Sequence, residues 1–220
     1  MAAAYFVWGT VEQQRGNWEY AKVGYKKAVS LLPSGVQANL AYAEALWHTD
    51  ERGKAIEHVQ TTLQHSNAVP SEYVQAGQLW LRLGELERAF DVVEGGAARF
   101  PNDAGLKFTL AKLKERDGKF AEATRDYEQL LEIEFQADVA NNLAWLYATC
   151  ADADVRNGSR ALLLAEKVCA ATYHKSPLAL DTLAAAHAEA GDFSNAVTTV
   201  QVAHRLARGT GEEKLAARLE

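Results

Sequence analysis

Small and apolar positions recur along this chain at a fixed step. Ala21, Ala55, Ala89 and Ala123 stand 34 residues apart, and each is followed four residues later by a larger core-type residue, Tyr25, Val59, Val93 or Tyr127. Upstream of each alanine lies a small or apolar pair: Trp8-Gly9, Tyr42-Ala43, Ala76-Gly77 and Leu110-Ala111. A period of this length is that of a two-helix repeat. The small residues let the two helices of a hairpin approach closely, and the bulky neighbours fill the remaining space. Gly16, Gly84, Gly118 and Gly191 fall at the predicted ends of first helices, where a left-handed C-terminal cap is most easily made by glycine. In the second repeat Asp50 takes that place and Gly53 comes later, which predicts a slightly different turn. No apolar/polar alternation persists between turn signals, so no strands are predicted and the fold class is all-α.

Past Ala123 the interval stretches. The next equivalent alanines are Ala161 and Ala196, and Leu143-Ala144 with Tyr147 and Leu183-Ala184 with His187 mark two further first helices. The extra residues fall in the ADADVRNGS stretch, 151–159, whose Asn157-Gly158 is a turn signal. Most insertions of this kind are passive surface excursions, although some mark a binding edge. The pattern predicts one array over 1–220, with repeats at 2–35, 36–69, 70–103, 104–136, 137–176 and 177–210. Residues 211–220 carry Leu215 and Leu219 at i,i+4 and predict a short capping helix packed near Val202 and Leu206.

On this frame the chain resembles the tetratricopeptide repeat (TPR) family, whose signature has the form W-x2-L-G-x2-Y, A-x3-F and P. The third repeat carries it through Tyr73, Ala76, Gly77, Trp80, Ala89, Val93 and Pro101. The first carries it through Tyr5, Trp8, Gly9, Ala21, Tyr25 and Pro33, with Glu12 where a large aromatic is expected. The resemblance covers essentially the whole chain. It implies a right-handed α-solenoid of about six helix hairpins, and its last two repeats look like those of bacterial TPR proteins. A solenoid grows by neighbour contacts and needs no single large core.

Composition narrows the function classes. The formal net charge is −6, from 23 basic and 29 acidic residues, and no basic stripe emerges on helical faces, which disfavours nucleic acid as a partner. No apolar run approaches the roughly 20 residues that cross a bilayer, so membrane insertion is not expected. The compartment leans cytoplasmic, with the periplasm open if a parent chain carries a signal. The start MAAAYFVWG is apolar on nearly every side, whereas terminal repeats usually carry a polar outer face. This predicts a fragment of a longer protein, and its apolar ends leave self-association open.

No nucleophile elbow, zinc-protease helix, P-loop or dinucleotide fingerprint occurs, so the chain reads as non-enzymatic, with no cofactor and no metal. His58 and His65 share a face but lie two turns apart, too far for a two-histidine metal site. His187 is expected at a core edge, paired by a hydrogen bond. Cys150 and Cys169 form no CxxC pair and read as two small buried thiols, with a disulfide as the lesser alternative.

In TPR domains the first-helix residues that point away from the hairpin contact line a ligand groove. The resemblance therefore places Gln13, Glu44, Trp47, His48, Gln78, Arg82, Lys112, Arg116, Asn141, Asn142 and Trp145 on a partner-binding face. Trp47 and Trp145 are the expected anchors, each with packing against a neighbouring repeat as its alternative. Carboxamides can bond a ligand backbone by donating and accepting at once. Aromatics, amides and both charge signs suit a peptide or helix better than a polyanion. The carboxylate clamp of chaperone adaptors is not present: its basic positions fall on residues such as Phe6, Leu40, Phe108 and Gly105. The expectation is a scaffold that binds a peptide or helical segment of another protein. The alternative is a regulatory or docking region of a larger enzyme or of a bacterial envelope, polysaccharide or secretion assembly.

Overall fold

The structure, a computed structural model, describes residues 1–65 and 68–219; the side chain of His65 lies outside the described residues. Thirteen helices and no strand occur among the described residues. First helices are α1 (Ala2–Gln14), α3 (Val36–His48), α5 (Pro70–Arg82), α7 (Ala104–Arg116), α9 (Ala137–Thr149) and α11 (Pro177–Glu189). Second helices are α2 (Trp18–Leu31), α4 (Arg52–His65), α6 (Leu86–Arg99), α8 (Phe120–Ile133), α10 (Gly158–Ala171) and α12 (Phe193–Thr210), and α13 (Glu213–Arg218) follows. The chain divides into two compact units, Met1–Leu113 and Lys114–Glu220.

Helix α6 shows how the pattern makes an element. Ala89, Val93 and Gly96 repeat at i,i+4,i+7 and are buried, while Glu87, Asp91 and Glu94 face solvent. Helix starts are fixed by local chemistry. Pro70 opens α5, where the Val69 N–H donates to the Glu72 carboxylate at 3.0 Å. The side chains of Asp103, Asn157, Ser176 and Asp192 accept from backbone N–H groups three residues on.

The alanine ladder is the hairpin seam: Ala21, Ala55, Ala89, Ala123 and Ala161 are fully buried. Ala196, in the last hairpin, is half-buried, and Ala203 and Ala207 fill that role farther along α12. In the first unit the seam is tightest at Gly77, where an added Cβ would stand 2.4 Å from Val93 Cγ2. Trp80, Leu79, Val59, Val93, Leu106 and Leu113 build the core around it. The second unit packs around Tyr127, Val139, Leu143, Cys169 and Thr182.

The turn at Asp50 differs from expectation. Asp50 adopts φ 64°, and the Glu51 N–H donates to the Leu46 carbonyl at 2.9 Å. The glycine turns make the same bond: Asn17 to Glu12 at 2.9 Å and Glu85 to Trp80 at 2.8 Å, with Gly16 and Gly84 at φ 78° and 81°. The second repeat thus keeps the common left-handed turn, which a short polar side chain tolerates at some cost. Gly53 has no part in it and lies inside α4.

Glu12 is also better placed than its mismatch with the aromatic signature suggests. It is buried and accepts from Arg15 at 3.0 Å and from Asn17 at 2.8 Å, which ties the end of α1 to the turn.

The connection between α9 and α10 is fastened rather than loose. Val155 is buried, and the Arg156 guanidinium donates to the Cys150 carbonyl at 2.9 Å while pairing with Glu189 of α11 at 3.2 Å. The Asn157 N–H donates to the Tyr147 carbonyl at 2.8 Å. A Cβ at Gly158 would meet the backbone of Glu189 and Ala190 within 2.9 Å, so only glycine lets α10 begin against the end of α11.

Candidate functional site

In the first unit, α1, α3 and α5 present their faces to one open cleft of about 300 Å³. Gln37, Leu40 and Glu44 line it from α3, Gln75, Gln78 and Arg82 from α5, and Phe6 from α1. Each set follows a helical stripe, because residues three, four and seven apart share one face. Phe6 packs on the Tyr25 ring with centroids 5.6 Å apart, giving the cleft an apolar end. At the polar end Arg82 donates to Glu44 at 3.0 Å across the two helices. Glu44 has a largely covered side chain and Arg82 a largely exposed one. An ion pair with one free-standing partner is worth about 0–1 kcal/mol, so a ligand can open it cheaply.

Of the residues expected on the binding face, Glu44, Gln78 and Arg82 are brought together here. Gln13 is not, since its amide oxygen accepts from the Tyr25 hydroxyl. Burial pushes the Tyr25 phenol above its usual range, which keeps it a donor. Trp47 packs edge-to-face on Trp80, centroids 5.5 Å apart, beneath the Arg52 guanidinium at 5.0 Å. Trp47 is therefore part of the core wall between repeats, the alternative that its sequence position carried. His48 is exposed and stacks on Trp18 at 3.9 Å. Lys112 lies over the Phe108 ring at 5.6 Å, and Arg116 is exposed at the end of α7. Gln37 and Gln75 were not singled out in the sequence. They lie two turns before Glu44 and Arg82, a spacing that would have found them.

In the second unit Asn142 hydrogen-bonds the Tyr127 hydroxyl, which donates to Glu115 at 2.9 Å. Burial, then the Glu115 charge, raises the Tyr127 phenol far above its usual range. Tyr147 donates to Glu128, which also pairs with Arg160 at 2.7 Å, and the Arg160 guanidinium lies 4.9 Å from the Tyr147 ring centroid. These phenols stay protonated and hold the hairpins together. Asn141 is buried, and its side-chain oxygen has no hydrogen-bond partner. Trp145, one turn further along α9, is half-buried under the Arg218 guanidinium at 5.9 Å.

Among the described residues the histidines and cysteines assemble no centre. Among the described residues no group of three or more His, Cys, Asp or Glu is placed to hold a metal ion. Cys150 and Cys169 are buried free thiols, and burial pushes the Cys169 thiol up to about 11. His187 lacks the expected hydrogen bond at Nδ1, which stands 3.6 Å from the Asp192 carboxylate, within ion-pair but beyond hydrogen-bond reach. Asp192 already accepts from the side chain and the backbone of Asn195, which holds its carboxyl below the usual range. No helix among the described residues is long and apolar enough to cross a membrane.

Neither a protein-family model nor a curated sequence matches the chain. Solved structures do. Yeast Tom70 superposes with a TM-score of 0.72 at 16% identity over 99% of this chain and 45% of its own. A tetratricopeptide repeat protein from Parabacteroides merdae gives 0.62 at 12% identity over 99% of this chain and 90% of its own. A thermophilic TPR protein of Thermus thermophilus gives 0.57 at 17% identity over 84% and 98%. The chain spans less than half the length of Tom70, and all three likenesses concern fold. With its paired helices on a 34-residue step, its buried alanine seam and these structural neighbours, the chain has the fold of tetratricopeptide-repeat proteins.

Proposed function

We propose that the chain is a non-enzymatic protein-interaction scaffold whose first-helix faces bind a peptide or helical segment of another protein. The observation that carries this reading is the cleft of the first unit, where Phe6, the amides of Gln37, Gln75 and Gln78 and the Glu44–Arg82 pair converge from three helices. An apolar end, amides that donate and accept, and one carboxylate and one guanidinium held by a weak exposed pair are what a polypeptide backbone with mixed side chains requires. The groups stand on helices, so little order is lost by the receptor on binding. A roomier cleft of about 400 Å³ lies beside α2 and α4, lined by Val29, Pro33 and Thr62 among others. Among the described residues no carboxylate, lysine or arginine lines it, and it is the poorer candidate.

The test uses peptides selected from a random display library against the full chain. Glu44→Ala with Gln78→Ala and Arg82→Ala should weaken a selected peptide at least about tenfold, as loss of central interface residues does. Glu87→Ala with Glu94→Ala, on the exposed face of α6, should leave binding unchanged. Equal binding by both variants would remove the cleft from the account.

A further inference from the structure

Helix α13 places a charged side chain where the second unit has a built receptacle. Asp181 of α11 is a buried carboxylate, with a side chain only 12% exposed, and Arg218 of α13 donates to it. The same guanidinium lies 5.9 Å from the Trp145 ring centroid on α9. Asn141 and Asp181 occupy equivalent places in their repeats, each two residues before a Leu-Ala packing pair, and α9 packs against α11. Asn141 is also buried, one turn from Trp145 on the same face of α9, and its side-chain oxygen has no partner. The buried carboxylate and the unpartnered carbonyl oxygen are acceptors, and the indole ring beside them offers a π-face. A guanidinium, planar and carrying five N–H donors, matches them better than a compact ammonium does.

We propose that Asp181, Trp145 and Asn141 form a receptor for an arginine side chain on a partner's peptide segment, and that Arg218 occupies it in the free protein. The native occupant is incomplete. It uses the carboxylate and the ring and leaves the Asn141 oxygen unpaired, a cost that a better-placed arginine removes. The element carrying it is easily exchanged: α13 has six residues, of which Ala216 is the one buried side chain and Leu215 is half-buried, as is Leu219 just after it. The inference rests on the reading of first-helix faces as ligand surfaces. Its probe and variants lie wholly in the second unit, so its failure leaves the test of the Glu44–Arg82 cleft untouched.

The experiment measures fluorescence anisotropy of a labelled peptide with the sequence GEEKLAARLE, residues 211–220, against the full chain. Arg218→Ala vacates the receptacle, and Ala216→Asp with Arg218→Ala also drives α13 off its seat; circular dichroism verifies the fold of each. Both variants should bind the peptide at least about tenfold more tightly than the wild type, the factor one charge-assisted hydrogen bond supplies. Adding Asp181→Asn, which keeps the shape and removes the charge, should abolish that gain, and a peptide with lysine in place of its arginine should bind at least about tenfold more weakly. Equal binding by wild type and both vacated variants, absence of binding by all of them, or indifference to Asp181→Asn would overturn the proposal.

Discussion

Replacing Gly77 by alanine probes the contact on which the hairpin geometry depends. In an exposed helix interior the change from glycine to alanine stabilises by up to about 1 kcal/mol through backbone entropy alone. At Gly77 the new methyl would stand 2.4 Å from Val93 Cγ2, and Val93 is fully buried in the core. A β-branched side chain held on all sides cannot rotate away, so α5 and α6 must separate. Overpacking of this kind costs about 1–3 kcal/mol, leaving a net loss of up to about 2 kcal/mol after the entropic gain. Gly95, on the exposed side of α6 with nothing within 4 Å of its added Cβ, is the internal control and should gain up to about 1 kcal/mol. Urea unfolding followed by circular dichroism measures both, and the gap between the two variants should be the overpacking cost itself, about 1–3 kcal/mol. Val93→Ala on the Gly77→Ala background should recover part of the loss, with a favourable coupling of about 2 kcal/mol. A Gly77→Ala protein as stable as Gly95→Ala would refute the close approach of α5 and α6.

Three other outcomes follow from particular groups. Asp50→Gly should raise the urea midpoint, by up to about 1 kcal/mol of stability, because Asp50 holds φ 64° where glycine is unstrained. Glu51 bonds Lys54 and Lys22, which lowers its carboxyl from the usual 4.5 to about 2. Its folded value is depressed, so its stabilisation is complete above 4.5 and is lost as pH falls toward 2; the difference in urea midpoint between wild type and Glu51→Gln should shrink over that window. Cys150 and Cys169 are buried, and the Cys169 thiol is held up to about 11, so alkylation by iodoacetamide at pH 8 should be slow in the native protein and should accelerate on adding urea.

The helix hairpins were legible because they rest on local, periodic constraints. A buried alanine every 34 residues from Ala21 to Ala123 and a glycine at the ends of α1, α5, α7 and α11 appear directly in the sequence, and first helices begin at Ala2, Val36, Pro70, Ala104, Ala137 and Pro177. The turn at Asp50 escaped because its backbone geometry is dictated by the hairpin around it, which overrides the missing glycine. The proposed binding face was legible only in direction. Periodicity placed Glu44, Gln78 and Arg82 on one side of their helices, whereas the withdrawal of Gln13 to Tyr25 and of Trp47 to Trp80 depends on contacts between helices. The fastening of the 150–157 connection by Arg156, and the reach of Arg218 to Asp181, join residues 33 and 37 positions apart in sequence without any repeat relation. No periodic signal announces such pairs.

The first-helix faces as the binding surface are tested most directly by site-specific photocross-linking. A photoreactive amino acid at Gln78 in the cleft, and at Glu94 on the exposed face of α6, would be irradiated in the full chain with a library-selected peptide bound. Cross-linking from Gln78 and none from Glu94 is the predicted result. Cross-linking from Glu94 with none from Gln78 would contradict it.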